Sequence, residues 1–152
     1  MIAMGLMSGT SLDGVDAALV RIVPAAGSYE FEIQAFATVP YELRVAERLR
    51  AVLPPNRVGI QAVAQLHRDV GMAFAQAAAS VAGSQRIDYI ASHGQTVFHA
   101  GEDAVTLQIG DAFRIRERLG ATVVYDFRSA DCAAGGHGAP LVPYVDALLL
   151  GC

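Results

Sequence analysis

The stretch Met4-Gly5-Leu6-Met7-Ser8-Gly9-Thr10-Ser11-Leu12-Asp13-Gly14-Val15-Asp16 places small, hydroxylated and acidic residues between two apolar runs. The runs cover residues 1–7 and 15–23. Apolar segments of this length, separated by Gly, Ser and Asp, predict a strand, a tight turn and a second strand. This hairpin decides the fold because every later element must be added to the sheet that it begins.

The turn of the hairpin also has the chemistry of a phosphate site. Gly9 and Gly14 allow main-chain N–H groups to approach a ligand with no side chain in the way. Hydroxyl donors come from Ser8, Thr10 and Ser11, and the carboxylates of Asp13 and Asp16 are oxygen ligands that suit a hydrated divalent cation. An ordinary β-hairpin also needs Gly and Asp in its turn, so a purely structural turn is an open alternative.

Composition narrows the function classes. The chain has 152 residues, 53% of them hydrophobic, which is enough for one domain with a sizeable core. No apolar run is long enough to span a bilayer and no signal-peptide pattern begins the chain, so we expect a soluble, cytoplasmic protein without a membrane partner. The net charge of -4 and the scattered arginines argue against nucleic acid as a partner. Cys132 and Cys152 lack the spacing of a metal or disulfide framework.

Lysine is absent, because all eleven basic residues are arginine. A Walker-type P-loop needs a lysine on the nucleotide phosphates, and Schiff-base chemistry needs a lysine amine, so both are excluded. A nucleotide bound by this protein would have to be held by glycines, hydroxyls and carboxylates.

The rest of the chain predicts a mixed α/β domain. Residues 29–36 alternate apolar and polar as a half-buried third strand, and helical spacing covers 43–53 and 59–81. The second helix has a predicted core stripe: Ile60, Val63, Ala64, Val70, Phe74 and Ala78. Strands follow at 87–91, 105–109 and 121–125, with a helix at 111–119 that Asp111 begins and Gly120 ends. A Gly/Ala-rich loop at 132–140 leads to an apolar helical tail from Leu141.

This order of elements predicts an RNase H-like α/β lobe. An antiparallel three-strand meander is extended by parallel strands through crossover helices, with helices on the faces of the sheet. Because parallel strands deliver their carboxyl ends to one edge, three polar segments are expected to converge: 9–16, 92–96 and 126–138. The expected loops at 92–96 and 126–138 supply five candidate side chains: His93, Gln95, Asp126, Arg128 and Asp131.

Three of these candidates, Asp126, Arg128 and His93, have a structural alternative. Arg128 offers a planar fork to a carboxylate or phosphate, but an Asp126–Arg128 ion pair that only fixes a loop is equally compatible with the sequence. His93 and Gln95 suit sugar hydroxyls, although a His next to a Gly also holds a turn. We interpret His67 and His99 as structural, because no chemical group neighbours either one in sequence.

Four ordered motifs make the chain resemble a known family. They are Met7-Ser8-Gly9-Thr10-Ser11-Leu12-Asp13-Gly14-Val15-Asp16, Ser92-His93-Gly94-Gln95-Thr96, Leu107-Gln108-Ile109-Gly110-Asp111, and Asp126-Phe127-Arg128 through Gly135-Gly136-His137-Gly138-Ala139-Pro140-Leu141-Val142-Pro143. Together they resemble the N-terminal part of the anhydro-N-acetylmuramic acid kinases, enzymes of peptidoglycan recycling. This family belongs to the actin-like, sugar-kinase and Hsp70 ATPase superfamily.

The resemblance implies an ATP- and Mg²⁺-dependent sugar kinase with two RNase H-like lobes, of which residues 1–152 are the N-terminal one and the second is absent. Family members use ATP and water to open the 1,6-anhydro ring of anhydro-N-acetylmuramic acid, giving N-acetylmuramic acid 6-phosphate and ADP. The implied partner is a small amino sugar, and a homodimer is an expectation for the full-length enzyme. The resemblance assigns binding of the ATP phosphates to eight consecutive residues: Gly9, Thr10, Ser11, Leu12, Asp13, Gly14, Val15 and Asp16. Asp13 is the implied metal ligand, acting through water.

The resemblance also implies that sugar contacts come from His93, Gln95, Asp126, Arg128 and Asp131. His137 stands where many family members carry Gln. The family's catalytic aspartate lies in a Gly-Phe/Tyr-Asp-Thr-Gly-Pro-Gly-Asn type segment that has no match here, so the general base is expected beyond Cys152. The isolated chain is therefore expected to be inactive.

Two alternatives come from other classes of protein. The first is a non-catalytic or split nucleotide- and sugar-binding lobe that needs a separate partner. The second is an RNase H-like nuclease with two metals around Asp13, Asp16 and Asp126, which the negative charge and the hydroxyl-rich turn disfavour.

Overall fold

A computed structural model describes residues 1–25 and 28–151 of the chain. The strands are β1 (Ile2–Ser8), β2 (Gly14–Ala25), β3 (Ser28–Pro40), β4 (Tyr89–Ala100), β5 (Val105–Ile109) and β6 (Thr122–Tyr125). The helices are α1 (Leu43–Val52), α2 (Ile60–Ala82), α3 (Ala112–Leu119), α4 (Phe127–Ala133) and α5 (Pro143–Leu150), and a single 3-10 turn covers Gly101–Asp103.

The six strands form one sheet in the order β3-β2-β1-β4-β5, with β6 also paired to β4. β1, β2 and β3 are antiparallel neighbours, whereas β4 runs parallel to β1 and β6 runs parallel to β4. This arrangement confirms the predicted α/β class, with an antiparallel meander extended by parallel strands, and it is that of an actin-like ATPase lobe.

The core lies between the sheet and α2. Leu66, Val70 and Phe74 of α2 are fully buried, and they belong to the same apolar cluster as Met4 of β1 and Ile90 of β4. These three helical positions are four residues apart and therefore share one face of the helix.

The predicted core stripe of α2 is wrong at its beginning. Ile60 is 83% exposed and Ala64 is also exposed. Ala64 lies about 120° around the helix from Val70, so it turns away from the sheet. Val63 is partly buried against the core and full burial on α2 begins at Leu66, so the predicted stripe fails only at Ile60 and Ala64.

β4 is longer than predicted and contains the segment 92–96, which we expected to follow the strand as a loop. Gly94 sits at φ +71° and shifts the register by one residue, so that Ser8 pairs with Gln95. Beyond this bulge the strand continues because β5 pairs with it in antiparallel orientation, starting at Gln95 and Ile109. A side chain at Gly94 would collide with the carbonyl of Ile109.

β3 is more exposed than its alternating pattern predicts. Phe31, Ile33 and Phe36 are 52%, 70% and 62% exposed. In the described residues β3 pairs with β2 alone, and hairpin residues 22–25 and 28–31 extend past the part of β2 that pairs with β1. The strand is therefore an edge strand with little of its outer half in the core.

The helix α3 begins after Asp111 and ends at Gly120, as the sequence predicts. The Asp111 carboxylate accepts a hydrogen bond from the backbone N–H of Phe113 at 3.0 Å, and Gly120 ends the helix in the left-handed conformation. The apolar tail forms α5, as expected from Leu141 onward, and its Tyr144 and Leu148 side chains are exposed. Of the helices in the described residues, none combines the length and apolarity needed to cross a membrane.

Candidate functional site

The parallel strands bring three predicted polar segments to the same edge of the sheet. Ser8, at the end of β1, pairs with Gln95 of β4, and Ser92 of β4 pairs with Tyr125 at the end of β6. The turn after β1 and the segment that begins at Asp126 therefore flank the middle of β4. Convergence of the three segments was predicted from topology, and the strand register confirms it.

The turn between β1 and β2 has space for a side chain at Gly9 but none at Gly14. A methyl group added at Gly9 would have Ser11 Oγ as its nearest heavy atom, 3.9 Å away. At Gly14 a methyl group would collide with the backbone of Val39 and Pro40 on β3. Gly9 therefore leaves space for a ligand, whereas Gly14 is required for the packing of β2 against β3.

The eight residues predicted to bind phosphates include both buried and exposed side chains. Leu12 and Val15 are 4% and 1% exposed, so these side chains anchor the turn in the core. Leu12 does so at φ +57°, a conformation that costs a non-glycine residue about 1–2 kcal/mol. Thr10, Ser11 and Asp13 are exposed and present the polar surface of the turn.

Hydrogen bonds fix the shape of the turn. The buried hydroxyl of Ser8 donates to the carbonyl of Gly14 at 2.7 Å and closes the base of the turn. Ser11 Oγ donates to Asp13 Oδ1 at 2.8 Å, and Asp13 Oδ2 makes no hydrogen bond within residues 1–25 and 28–151. Thr38 Oγ1 donates to Asp16 Oδ1 at 2.6 Å, which ties Asp16 to β3. Each carboxylate thus has one oxygen engaged, but Asp13 is exposed whereas Asp16 is half-buried.

Tyr41 packs against the turn near Ser8 and Asp13, and this role was not predicted from the sequence. Its side chain is 8% exposed, and burial raises its pKa to about 12, an effect that the Ser8 hydroxyl partly offsets and the Asp13 charge reinforces. Its hydroxyl makes no well-formed hydrogen bond within the described residues. A tyrosine directly after Pro40 carries no sequence signal for this position, because only the β2–β3 register brings it under Ser8.

His93 and Arg128 form the second part of the site. Arg128 Nε donates to His93 Nε2 at 2.9 Å, and Arg128 Nη1 donates to the carbonyl of Gly138 at 2.6 Å. His93 Nδ1 lies 3.0 Å from the carbonyl of Gly94, so it must donate its proton there. Burial, reinforced by the Arg128 charge and opposed by the Gly94 carbonyl, lowers the pKa of His93.

Arg128 and Asp131 lie on α4 and not on the loop that we predicted for 126–138. Asp131 Oδ2 accepts a hydrogen bond from the backbone N–H of Gly138 at 2.7 Å, so the helix holds the glycine loop that follows it. The alternative of an Asp126–Arg128 ion pair is wrong, because Arg128 is engaged by His93 and Gly138. The helix forms because Asp126 takes the left-handed conformation at φ +62° and redirects the chain after β6.

Gln95 is the least accessible of the predicted sugar contacts. It is 1% exposed, and its Nε2 donates to the carbonyl of Thr96 at 3.1 Å. Its Oε1 is buried with no hydrogen-bond partner in the described part of the chain. Direct contact between Gln95 and a sugar stays a prediction that would require this amide to become accessible.

A cavity of about 140 Å³ lies beside His93, and it is lined in part by His67, which we interpreted as structural from the sequence. It is lined by His67, Ser92, His93, Gly94, Gln108, Ile109, Gly110, Tyr125 and Asp126. His67 of α2 accepts a hydrogen bond from the backbone N–H of Gly110 at its Nδ1, 3.1 Å away. His67 therefore has chemical neighbours in space, although it has none in sequence. His99 Nδ1 lies 3.1 Å from Thr106 Oγ1, and a structural role for this residue stays a prediction.

A larger concavity, about 690 Å³, is at the opposite end of the sheet and is lined by none of the predicted site residues. In the ranges 1–25 and 28–151, no three His, Cys, Asp or Glu side chains form a group able to hold a metal ion. Asp13, Asp16 and Asp126 therefore do not form the carboxylate cluster that the nuclease alternative needs. Cys132 is free, and Cys152 lies outside the described residues.

Comparison with known proteins agrees with the resemblance. The family model for anhydro-N-acetylmuramic acid kinase matches residues 1–151. Proteins named anhydro-N-acetylmuramic acid kinase from Trichormus variabilis and Gloeobacter violaceus are 43% and 46% identical, over 97% and 98% of this chain. A protein of the same name from Rhodospirillum rubrum is 45% identical over 93% of the chain.

The chain spans about two-fifths of the length of these curated relatives, the matched shares being 40%, 42% and 38%. The family model nevertheless matches residues 1–151, a range that includes the turn, β4 and α4. The chain belongs to the anhydro-N-acetylmuramic acid kinase family.

Proposed function

We propose that this chain is the N-terminal lobe of a two-lobe, ATP-dependent kinase that opens and phosphorylates 1,6-anhydro-N-acetylmuramic acid. The family match over residues 1–151 carries this proposal. The strand register supports it, because an open glycine turn and a fixed arginine flank the same strand. The proposal places the enzyme in the cytoplasm, with a homodimer as the expected full-length form.

The turn fits the phosphates of ATP. Gly9 leaves room for close approach, the Thr10 and Ser11 hydroxyls are exposed, and the backbone N–H groups supply dipoles where lysine is unavailable. The residues also fit Mg²⁺, since Asp13 has an exposed carboxylate with a free oxygen that would hold the ion through water. When bound, Mg²⁺ would supply positive charge to the phosphate oxygens.

In the proposed reaction, water attacks the anomeric carbon and the bond from that carbon to the bridging oxygen breaks. The oxygen at C6 then takes the γ-phosphoryl group of ATP, and ADP leaves. The proton from water passes to a general base that we place beyond Cys152. The residues of this chain bind and orient the two substrates, Gly9 to Asp16 on the nucleotide side and Arg128 with Asp126 on the sugar side.

The test uses a full-length protein that carries this chain as its N-terminal part. With ATP and 1,6-anhydro-N-acetylmuramic acid it should release ADP and form N-acetylmuramic acid 6-phosphate. In water enriched with ¹⁸O, mass spectrometry should find one labelled oxygen in the sugar product, at the anomeric position. Glucose is the control acceptor. Product without label would contradict hydrolytic opening, and absence of sugar-dependent ADP release would contradict the kinase assignment.

The 152-residue chain alone should show negligible turnover in the same assay. If mixing it with a separately produced C-terminal part restores activity, the split-enzyme alternative gains support. Robust sugar-dependent turnover by the chain alone would show that the general base lies within it.

A further inference from the structure

The hydrogen bonds of His93 leave neither ring nitrogen available to a sugar. Nδ1 faces the carbonyl of Gly94, which can only accept, so Nδ1 carries the proton. Nε2 faces the Nε–H of Arg128, which can only donate, so Nε2 is unprotonated. The two contacts together fix a single neutral tautomer of the imidazole.

The same contacts fix Arg128. Its Nε donates to His93 and its Nη1 donates to the carbonyl of Gly138, two anchors that come from β4 and from the glycine loop. Its Nη2 makes no hydrogen bond within residues 1–25 and 28–151. A guanidinium held at two nitrogens keeps its planar fork in one orientation and loses little further entropy when it binds an oxygen ligand.

We infer that His93 is a positioning residue, whose neutral imidazole holds the Arg128 guanidinium in place for an anionic or carbonyl oxygen of the sugar substrate. This inference rests on the proposed function for the identity of the ligand. It revises the predicted role of His93, because His93 then acts on the sugar through Arg128 and not by direct contact.

Protonation of His93 would abolish this arrangement. An imidazolium ring cannot accept from Arg128 Nε, and its charge repels the guanidinium. The groups that face His93 are Arg128 on α4, Asp126 and Tyr125 at the end of β6, and His67 on α2. Because burial and Arg128 keep the pKa of His93 below its usual value of 6.5, the ring stays neutral at pH 7.

The first test needs only the 152-residue chain, labelled with ¹⁵N-histidine, and the spectrum of His93→Gln identifies the His93 signals. At pH 7.5, long-range ¹H–¹⁵N spectra should show His93 with Nδ1 protonated and Nε2 unprotonated. Arg128→Met should shift the Nε2 resonance and raise the pKa of His93. The opposite tautomer, or a His93 signal that Arg128→Met leaves unchanged, would overturn the inference whether or not the protein is a kinase.

The second test compares two substitutions in the full-length protein. His93→Phe keeps a ring but removes the acceptor, and should lower kcat/KM for the sugar about tenfold, with KM for ATP unchanged. His93→Gln places an acceptor near the original Nε2 and should restore most of the loss. The wild-type kcat/KM should also fall as His93 is protonated below pH 6.5, and this fall should be absent in His93→Gln.

Equal impairment of the Phe and Gln variants, or wild-type values in both, would overturn a positioning role. If the wild-type protein phosphorylates no sugar, the proposed function fails, and the spectra of the chain still decide whether His93 holds Arg128.

Discussion

Two alanine substitutions in the same turn should have opposite consequences. Gly9→Ala places a methyl group in open space: apart from its chain neighbours, Ser11 Oγ at 3.9 Å is the one heavy atom of the described residues within 4 Å. Gly9 is also outside the left-handed region, so alanine adopts its backbone conformation without strain. The substitution should leave the free energy of unfolding unchanged or raise it by about 0.4–1 kcal/mol, since alanine restricts the unfolded chain.

Gly14→Ala should instead destabilise the fold. The added methyl group would lie 2.8 Å from the carbonyl carbon of Val39 and 3.0 Å from Cα of Pro40, and closer still to the Val39 oxygen. These are backbone atoms of the adjacent strand, so the pairing of Gly14 with Pro40 must shift. Overpacking of this kind costs about 1–3 kcal/mol.

The functional effect of Gly9→Ala should appear in nucleotide binding. If its methyl group displaces one charge-assisted hydrogen bond between the turn and a phosphate, about 1.5–3 kcal/mol is lost. The dissociation constant for ATP should then rise roughly 10- to 150-fold. Urea unfolding of the chain measures stability, and calorimetric titration of the full-length protein measures ATP binding.

The pair of variants separates packing from ligand binding. A folded Gly9→Ala protein with wild-type affinity for ATP would refute the phosphate role of the turn. A Gly14→Ala chain as stable as the wild type would refute the packing argument, because its methyl group has no free space. Loss of stability in Gly9→Ala would contradict the open geometry at that position.

Four further substitutions test stability, and urea unfolding of the chain measures each one. Ser8→Ala leaves the Gly14 carbonyl without its donor and should cost about 1–3 kcal/mol, whereas Tyr41→Phe removes a hydroxyl that makes no well-formed hydrogen bond within the described residues and should cost less than about 0.5 kcal/mol. The double variant should be additive, and coupling above about 0.5 kcal/mol would show that the two hydroxyls interact. Asp69→Asn should cost about 2 kcal/mol, less than a fully buried ion pair, because the two arginine partners of this buried carboxylate remain partly exposed. Burial raises the pKa of Asp69, but its bonds to Arg68 and Arg48 outweigh this effect, so the pKa is lowered below 3.8. The stability that the Asp69 carboxylate contributes is therefore complete above pH 3.8 and is lost as the pH falls further. The stability difference between the wild type and Asp69→Asn should shrink only in that acidic range. Asp111→Ala removes the cap of α3 and should cost about 1 kcal/mol, and an unchanged midpoint would contradict the capping role.

The hairpin, the succession of strands and helices along the chain, and the ends of α3 were predictable because local chemistry determines them. Glycine and aspartate between apolar runs make a turn in almost any context, and Asp111 and Gly120 satisfy helix ends within a few residues. The convergence of the turn with β4 and β6 followed from topology, since parallel strands share an edge.

The features that were missed depend on pairing between distant segments. The length of β4 depends on a register shift at Gly94 and on β5, which comes later in the chain. His67 reaches the cavity only because α2 crosses the sheet near Gly110. No periodicity within α2 or β4 carries information about these contacts.

Burial of polar side chains was also beyond sequence reasoning. Gln95 and His93 lie two residues apart in a polar segment and were predicted to act alike. The bulge at Gly94 places Gln95 beside Ser8 with 1% exposure, while His93 turns toward Arg128. A one-residue shift in a strand exchanges its faces, so the different environments of the two side chains follow from a single glycine.

In the proposed function, the turn and Arg128 attract their substrates by different electrostatic means. Without lysine, the turn must use neutral N–H and hydroxyl dipoles, which impose little desolvation cost when the nucleotide is absent. On the other side of β4, Arg128 provides a permanent charge, because arginine does not titrate in proteins. Its orientation, however, depends on an imidazole that does titrate. Acid should therefore weaken the sugar side of the site through His93, and KM for the sugar should rise below pH 6.5 in the wild type but not in His93→Gln.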